Sequence, residues 1–146
     1  MKKISKINDG VVIDHIRPGL ALTIAKLLKL DMLDLHFSIG SRHFSNKQKL
    51  KDYIKIEDYE LSTDQLNCVW FISPSATVND IEGGSVAIKS SGPAAGYIKG
   101  IVKCPDPECI TNYEDVETKF WIIDQKTLKC HYCETEFYDK LIQLRE

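Results

Sequence analysis

Four of the five cysteines in this 146-residue chain fall into two close pairs, Cys104-x4-Cys109 and Cys130-x2-Cys133, separated by 20 residues. That spacing fits a tetrahedral four-thiolate zinc site. Each short loop presents two sulfurs to one side of an ion, and the stretch between is long enough for a strand, a turn and a second strand. A segment of about 50 residues, the last third of the chain, is too small to build a convincing core alone, so a metal is expected to hold it together. Two disulfides are the alternative. However, the opening Met-Lys-Lys-Ile-Ser-Lys runs into polar Asn8-Asp9-Gly10 rather than an apolar leader. Without export, paired cysteines read as metal ligands. A catalytic dithiol is disfavoured, because Cys130-His131-Tyr132-Cys133 has a matching distant pair that a redox motif does not need. Cys68, between Asn67 and Val69, reads as a small buried apolar residue.

The chain is 43% hydrophobic, which suits one ordinary domain or two small ones, and no stretch is long and apolar enough to span a bilayer. Formal net charge is −2, so the overall basic footprint expected of a nucleic-acid binder is missing. Lysines do cluster at Lys47, Lys49, Lys51 and Lys55. Such a run is ordinarily a solvated face and needs independent support before it becomes a site.

Hydrophobic periodicity gives the elements. Val11-Val12-Ile13-Asp14-His15-Ile16 is β-branched and apolar and reads as a buried strand after the Asp9-Gly10 turn. Pro18-Gly19 opens a helical pattern carried by Leu20, Ile24, Leu27 and Leu28. Residues 33–40 alternate as a half-buried strand, 40–48 read as a loop, and 53–57 alternate again. Ser62-Thr63-Asp64-Gln65 is a capping box, which decides 66–72 for a helix ending before Pro74 over a strand through Val69-Trp70-Phe71-Ile72. Two strands, 76–79 and 85–88, flank a hairpin signal at Gly83-Gly84. The order predicts an α+β, ferredoxin-like lobe: an antiparallel sheet with two helices on one face and one extra strand. Residues 90–96, small and rich in Gly and Pro, read as a linker. Beyond it, short strands at 101–102, 120–123 and 136–138 surround the cysteines as a small all-β zinc ribbon.

From about Ile7 to Phe137 the chain resembles the regulatory chain of aspartate carbamoyltransferase. The residues that carry the resemblance are Val12-Ile13-Asp14-His15-Ile16, Lys51-Asp52-Tyr53-Ile54-Lys55-Ile56-Glu57 and Ala76-Thr77-Val78-Asn79. In the cysteine half they are Val102-x-Cys104-Pro105-x-x-x-Cys109-Ile110 and Leu128-Lys129-Cys130-x-Tyr132-Cys133. The resemblance implies a non-catalytic subunit. Residues 1–95 would form a nucleotide-binding allosteric domain that pairs with a second regulatory chain. Residues 96–146 would form a domain with one structural zinc that docks on the catalytic chain. Three regulatory dimers would bridge two catalytic trimers in a cytoplasmic dodecamer serving pyrimidine biosynthesis. CTP, UTP and ATP would be the effectors, pyrimidine end products typically inhibiting and ATP typically activating.

The resemblance also reweighs single residues. Asp14 and His15, a polar pair in an apolar strand, would by themselves be a satisfied edge pair. The resemblance places Asp14 on sugar or base and His15 near the phosphates, with Val12 beside them. Lys51 and Lys55 lie an even number of positions apart, so on one strand they share a face; the resemblance makes both triphosphate contacts. Asn79, Ile81 and Val86 would supply base-edge contacts and an apolar floor, and Lys89 a phosphate or ribose contact. The chain departs from the pattern at Gly83-Gly84, where relatives can carry a bulky residue near the base, and over Met1 to Lys6, which match poorly.

Two other classes of function compete. An enzyme is disfavoured, because four thiolates saturate a zinc ion and no Ser-His-Asp, Cys-His or phosphate-cradling Gly motif stands out. A nucleic-acid-binding zinc ribbon is opposed by the net charge and by Asp106, Glu108, Glu114, Asp115 and Glu117, which repel a polyanion.

Overall fold

The computed structural model describes residues 7–44, 50–138 and 143–144. Lys47, Lys49 and the first six residues lie outside them.

Strand β1, Gly10–Ile16, sends Val11, Ile13 and Ile16 into the core, each at most 1% exposed. The other strands of the first lobe are β2 (Phe37–Phe44), β3 (Leu50–Glu57), β4 (Thr77–Glu82) and β5 (Ser85–Ser91). They form one antiparallel sheet in the order β2-β3-β1-β4-β5. Helices α1, Ala21–Leu27, and α2, Thr63–Ile72, pack Ile24, Ala25 and Val69 on the inward side chains Val11, Ile13, Ile54, Ile56 and Val78. This is the expected ferredoxin-like arrangement with β5 added at an edge.

Local chemistry explains both helix starts. At α2 the capping box forms: Gln65 N donates to Ser62 Oγ at 3.2 Å and Ser62 N donates to Gln65 Oε1 at 2.9 Å. Helix α1 has no side-chain cap at Leu20. Its start is satisfied from across the lobe, where the buried Asp52 carboxylate accepts from Gly19 N at 2.9 Å and Ala21 N at 3.1 Å.

The second lobe is built from β6 (Tyr97–Lys99), β7 (Val102–Lys103), β8 (Lys119–Asp124), β9 (Thr127–Cys130), β10 (Glu136–Tyr138) and β11 (Gln143–Leu144). Four of these pair as β10-β9-β8-β6, and β11 pairs with β7. Ile98, Val102, Phe120, Leu128 and Phe137 fill the interior beside three cysteines.

Three sequence expectations shift. The second strand begins at Phe37 rather than residue 33, because after the 3-10 turn Leu30–Met32 the backbone keeps turning, Leu33 N donating to Leu30 O and Leu35 N to Leu33 O. It also runs through Phe44 into the stretch expected to be loop, since pairing with β3 continues past a bulge between Gly40 and His43. The expected linker at 90–96 is partly strand, β5 ending only at Ser91, and Ala94 is buried. The reason is that the lobes share a core. Leu27, Cys68 and Phe71 from the helices join the cysteine-lobe cluster, with Trp70 and Ile72 packed against both cores. Polar ties reinforce the seam: Lys99 N donates to Asp64 Oδ1 at 3.0 Å, and Asn67 Nδ2 donates to Tyr97 O at 3.1 Å.

Phe71 is 2% exposed at this seam. Replacing it with alanine is expected to remove about 3–5 kcal/mol of stability. Urea unfolding, followed by separate probes of helix content and metal release, should show both lobes losing stability together in the Phe71→Ala chain.

Candidate functional site

The residues singled out in the first lobe converge on the sheet face opposite the helices. Cα register aligns Ser38 with Lys55, Lys55 with Val12, Val12 with Asn79 and Asn79 with Lys89. One transverse row therefore crosses all five strands. Paired residues of an antiparallel sheet share a face. Asp14 lies two positions along β1 from Val12 and pairs with Thr77.

Two irregularities complete the face. Along β5, strict alternation would put Val86 and Lys89 on opposite faces, three positions apart. The pairings Asp80 with Ile88 and Ile81 with Val86 leave Ala87 as an extra residue, so a bulge returns Val86 to the Lys89 side. On β1, pairing jumps from Ile13–Ile54 to Ile16–Asp52, and His15 takes a left-handed φ of 56° within that bulge. Its N–H bonds Asp14 Oδ1 at 2.8 Å, and its ring Nδ1 lies 3.1 Å from Thr77 Oγ1.

The two lysines that the sequence treats alike differ in the structure. Lys51 Nζ meets both Asp14 oxygens, at 3.0 Å to Oδ1 and 3.1 Å to Oδ2, so its charge is already matched. Lys55 is 7% exposed and has no ion-pair or hydrogen-bond partner among the described residues, and burial lowers its pKa. Lys89 is exposed and likewise unpaired among the described residues.

Ile81 also borders a cavity of about 540 Å³ at the hairpin end of the sheet. Asp9, Asp58, Glu60, Asp80 and Glu82 line it, so it repels phosphate and is not an extension of the lysine row. The hairpin explains Gly83-Gly84: both have positive φ, 58° and 81°, as a two-residue turn demands, and a Cβ on either would meet nothing within 4 Å. Side-chain room is therefore present where bulk is missing.

Sequence reasoning did not single out Tyr53, Ser38 or Thr77 on this face. A Cβ on Gly40 would fall 1.8 Å from the Tyr53 ring, so that ring covers Gly40 of the neighbouring strand. The available signal was a glycine inside an alternating strand, which marks close approach of another group.

In the second lobe the four cysteine sulfurs lie within 4.8 Å of one another. Tetrahedral zinc with bonds of about 2.3 Å needs sulfurs about 3.8 Å apart. Cys104 and Cys133 are 3.7 Å apart, and Cys109 and Cys130 are 3.8 Å apart, so the set fits. None of the cysteines is in a disulfide. Burial pushes the thiols of Cys104 and Cys130 up, against backbone N–H donors at Asp106, Tyr132 and Cys133. Burial also opposes the Cys109 thiolate, but the Thr111 hydroxyl, 3.1 Å from the sulfur, the Thr111 amide and the Cys104 and Cys130 thiols together lower that pKa. Four thiolates packed this closely need a cation. Cys68 is separate: buried in the seam, its thiol is pushed up to about 12 and stays protonated, in keeping with the apolar role expected of it.

Two family models match the chain. The allosteric domain of the aspartate carbamoyltransferase regulatory chain matches residues 2–92, and the metal binding domain of the same chain matches residues 96–143. Among similar proteins, the aspartate carbamoyltransferase regulatory chain of Thermococcus sibiricus is 41% identical over 142 residues, covering 96% of this chain and 94% of its own. That of Porphyromonas gingivalis is 39% identical over 97% of this chain and 95% of its own. That of Caldivirga maquilingensis is 43% identical over 90% and 83%. No helix among the described residues is long and apolar enough to cross a membrane.

The purified chain is expected to carry one metal equivalent. Cys109→Ser should lose it together with the fold of the second lobe. Thr111→Val, which removes only the hydroxyl beside Cys109, should weaken metal retention by about 10-fold. Competition with a chromophoric chelator measures the difference; two stable disulfides or an iron–sulfur spectrum would contradict the assignment.

Proposed function

Because the chain belongs to the family of aspartate carbamoyltransferase regulatory chains, non-catalytic subunits with an allosteric and a metal-binding domain, we propose that its first lobe binds nucleoside triphosphates and its second docks on catalytic chains. We place the division at residues 1–95 and 96–146. The observation that carries the nucleotide reading is the row Lys55, Val12, Asn79 and Lys89, in register on the face free of helices.

Lys55 and Lys89 are the cationic contacts. A triphosphate carries several negative charges, and compact ammonium groups on long stems suit it. Lys55 gains most, because the ligand supplies the counter-charge that burial denies it. Val12, Ile81 and Val86 give an apolar floor. Asn79 has both donor and acceptor for a base edge. Asp14 accepts from sugar, and His15, held by Thr77 at one ring nitrogen, offers the other toward phosphate. CTP, UTP and ATP are the effectors. The free space at Gly83-Gly84 leaves the base side loosely walled.

The metal is zinc, held by Cys104, Cys109, Cys130 and Cys133. With all four positions taken by thiolate it has no place for substrate, so it supplies folding energy rather than chemistry. Three regulatory dimers bridge two catalytic trimers in the cytoplasm, without nucleic acid and without membrane. Nucleotide acts through different affinity for two states of that assembly, since coupling between sites is reciprocal. Helix α2, packed on both cores, is the element through which the sheet and the docking lobe feel one another.

Lys89→Ala should weaken CTP binding by about 10- to 100-fold, the loss of one charge-assisted contact. Lys55→Met should do the same while raising the stability of the ligand-free chain by about 1 kcal/mol, because it removes an unmatched buried cation. Calorimetry and urea unfolding on the two variants test this. Unchanged CTP affinity in both would refute the site, as would carbamoyl transfer by the chain alone for the non-catalytic role.

A further inference from the structure

We propose that Lys51 serves this face through Asp14, as a positioning residue that sets ribose recognition, and does not contact phosphate. The inference rests on the nucleotide reading above and narrows it.

The Asp14 carboxylate is held by two donors through three contacts. Oδ1 takes Lys51 Nζ at 3.0 Å and the N–H of His15 at 2.8 Å; Oδ2 takes Lys51 Nζ at 3.1 Å. The left-handed His15, φ 56°, turns its own N–H back onto its neighbour's side chain. A carboxylate oxygen accepts about two hydrogen bonds, so among the described residues Oδ2 keeps one acceptor site open. A ribose hydroxyl is the donor that fits it; a phosphate is not a donor at neutral pH and is repelled. The pair is partly buried, at 18% exposure for the Lys51 side chain and 23% for Asp14, so water screens it less than a surface pair.

Charge bookkeeping points the same way. Lys51 and Asp14 together are neutral, whereas Lys55 and Lys89 have no ion-pair partner among the described residues. If Lys51 left Asp14 for a phosphate, it would strand a carboxylate next to a triphosphate. An anion is better matched by the two uncommitted cations. The common face of Lys51 and Lys55 therefore conceals two tasks.

The test uses the full zinc-loaded chain, with CTP and 2′,3′-dideoxy-CTP measured by calorimetry. The unmodified chain should prefer CTP by about 10- to 100-fold, the size of a hydrogen bond to a charged acceptor. Lys51→Met should bring the two ligands within about 2-fold of each other, mainly by losing affinity for CTP. In an Asp14→Asn background the same change should cost almost nothing further, and Lys51→Arg, which keeps the charge, should retain the preference. The proposal is overturned if Lys51→Met weakens both ligands equally, if its cost persists in the Asp14→Asn background, or if the unmodified chain ignores the hydroxyls. If the unmodified chain binds neither ligand, the nucleotide site itself fails, and this role with it.

Discussion

Helix α2 is buried on two sides, and both lobes depend on that. Val69 closes the core over the five-stranded sheet, while Cys68 and Phe71 close the core around the cysteines. A helix of 10 residues would be marginal alone; its capping box starts it and two packed faces keep it. The arrangement also stabilises the smaller lobe. Its strands are 2 to 6 residues long and its interior is partly sulfur, so the metal and the α2 seam together replace the apolar area that it lacks. Two lobes joined in this way meet along one packed seam. The sheet and the cysteine lobe thus share packed side chains of one helix.

On the sheet, the helices dictate where a ligand can lie. They consume one face, and β-sheet register then lines up whatever the sequence puts on the other. Val12, Lys55, Asn79 and Lys89 come from four separate strands, yet pairing sets them side by side. The bulge at Ala87 corrects the phase of Val86, and the bulge around His15 turns a backbone N–H onto Asp14. Bulges re-aim side chains at modest cost to the ladder, and here both fall within the candidate site.

Much of this was legible in the sequence, for reasons that can be named. The capping box at Ser62 and the paired glycines at Gly83-Gly84 are local signals whose physics is complete within a few residues, and both formed as read. The cysteine spacing likewise encodes its own geometry. What escaped the sequence was non-local. The extension of β2 to Phe44 is decided by pairing with β3, not by its own polar residues. Ala94 sits among exposed linker-type residues but is itself buried, because it joins Cys68 and Phe71 of α2 in the second core. Lys51 and Lys55 look equivalent because period-2 alternation reports a face and not a partner; only the fold brings Asp14 within 3.0 Å of one of them.

Lys55 shows why the site reads as functional rather than merely polar. Burial alone lowers its pKa from the ordinary 10.5, so the folded chain binds that proton less readily than the unfolded chain. Stability associated with this group therefore rises as pH climbs from its folded pKa toward 10.5, and is reduced below that window, where the ammonium is charged in both states. At neutral pH the fold thus carries a cation it would rather not bury. A structural lysine would have an acid beside it, as Lys51 has Asp14. An anion placed beside it would favour the charged form and raise the pKa again. A buried lysine with no ion-pair partner among the described residues is the pattern expected where stability is conceded to binding.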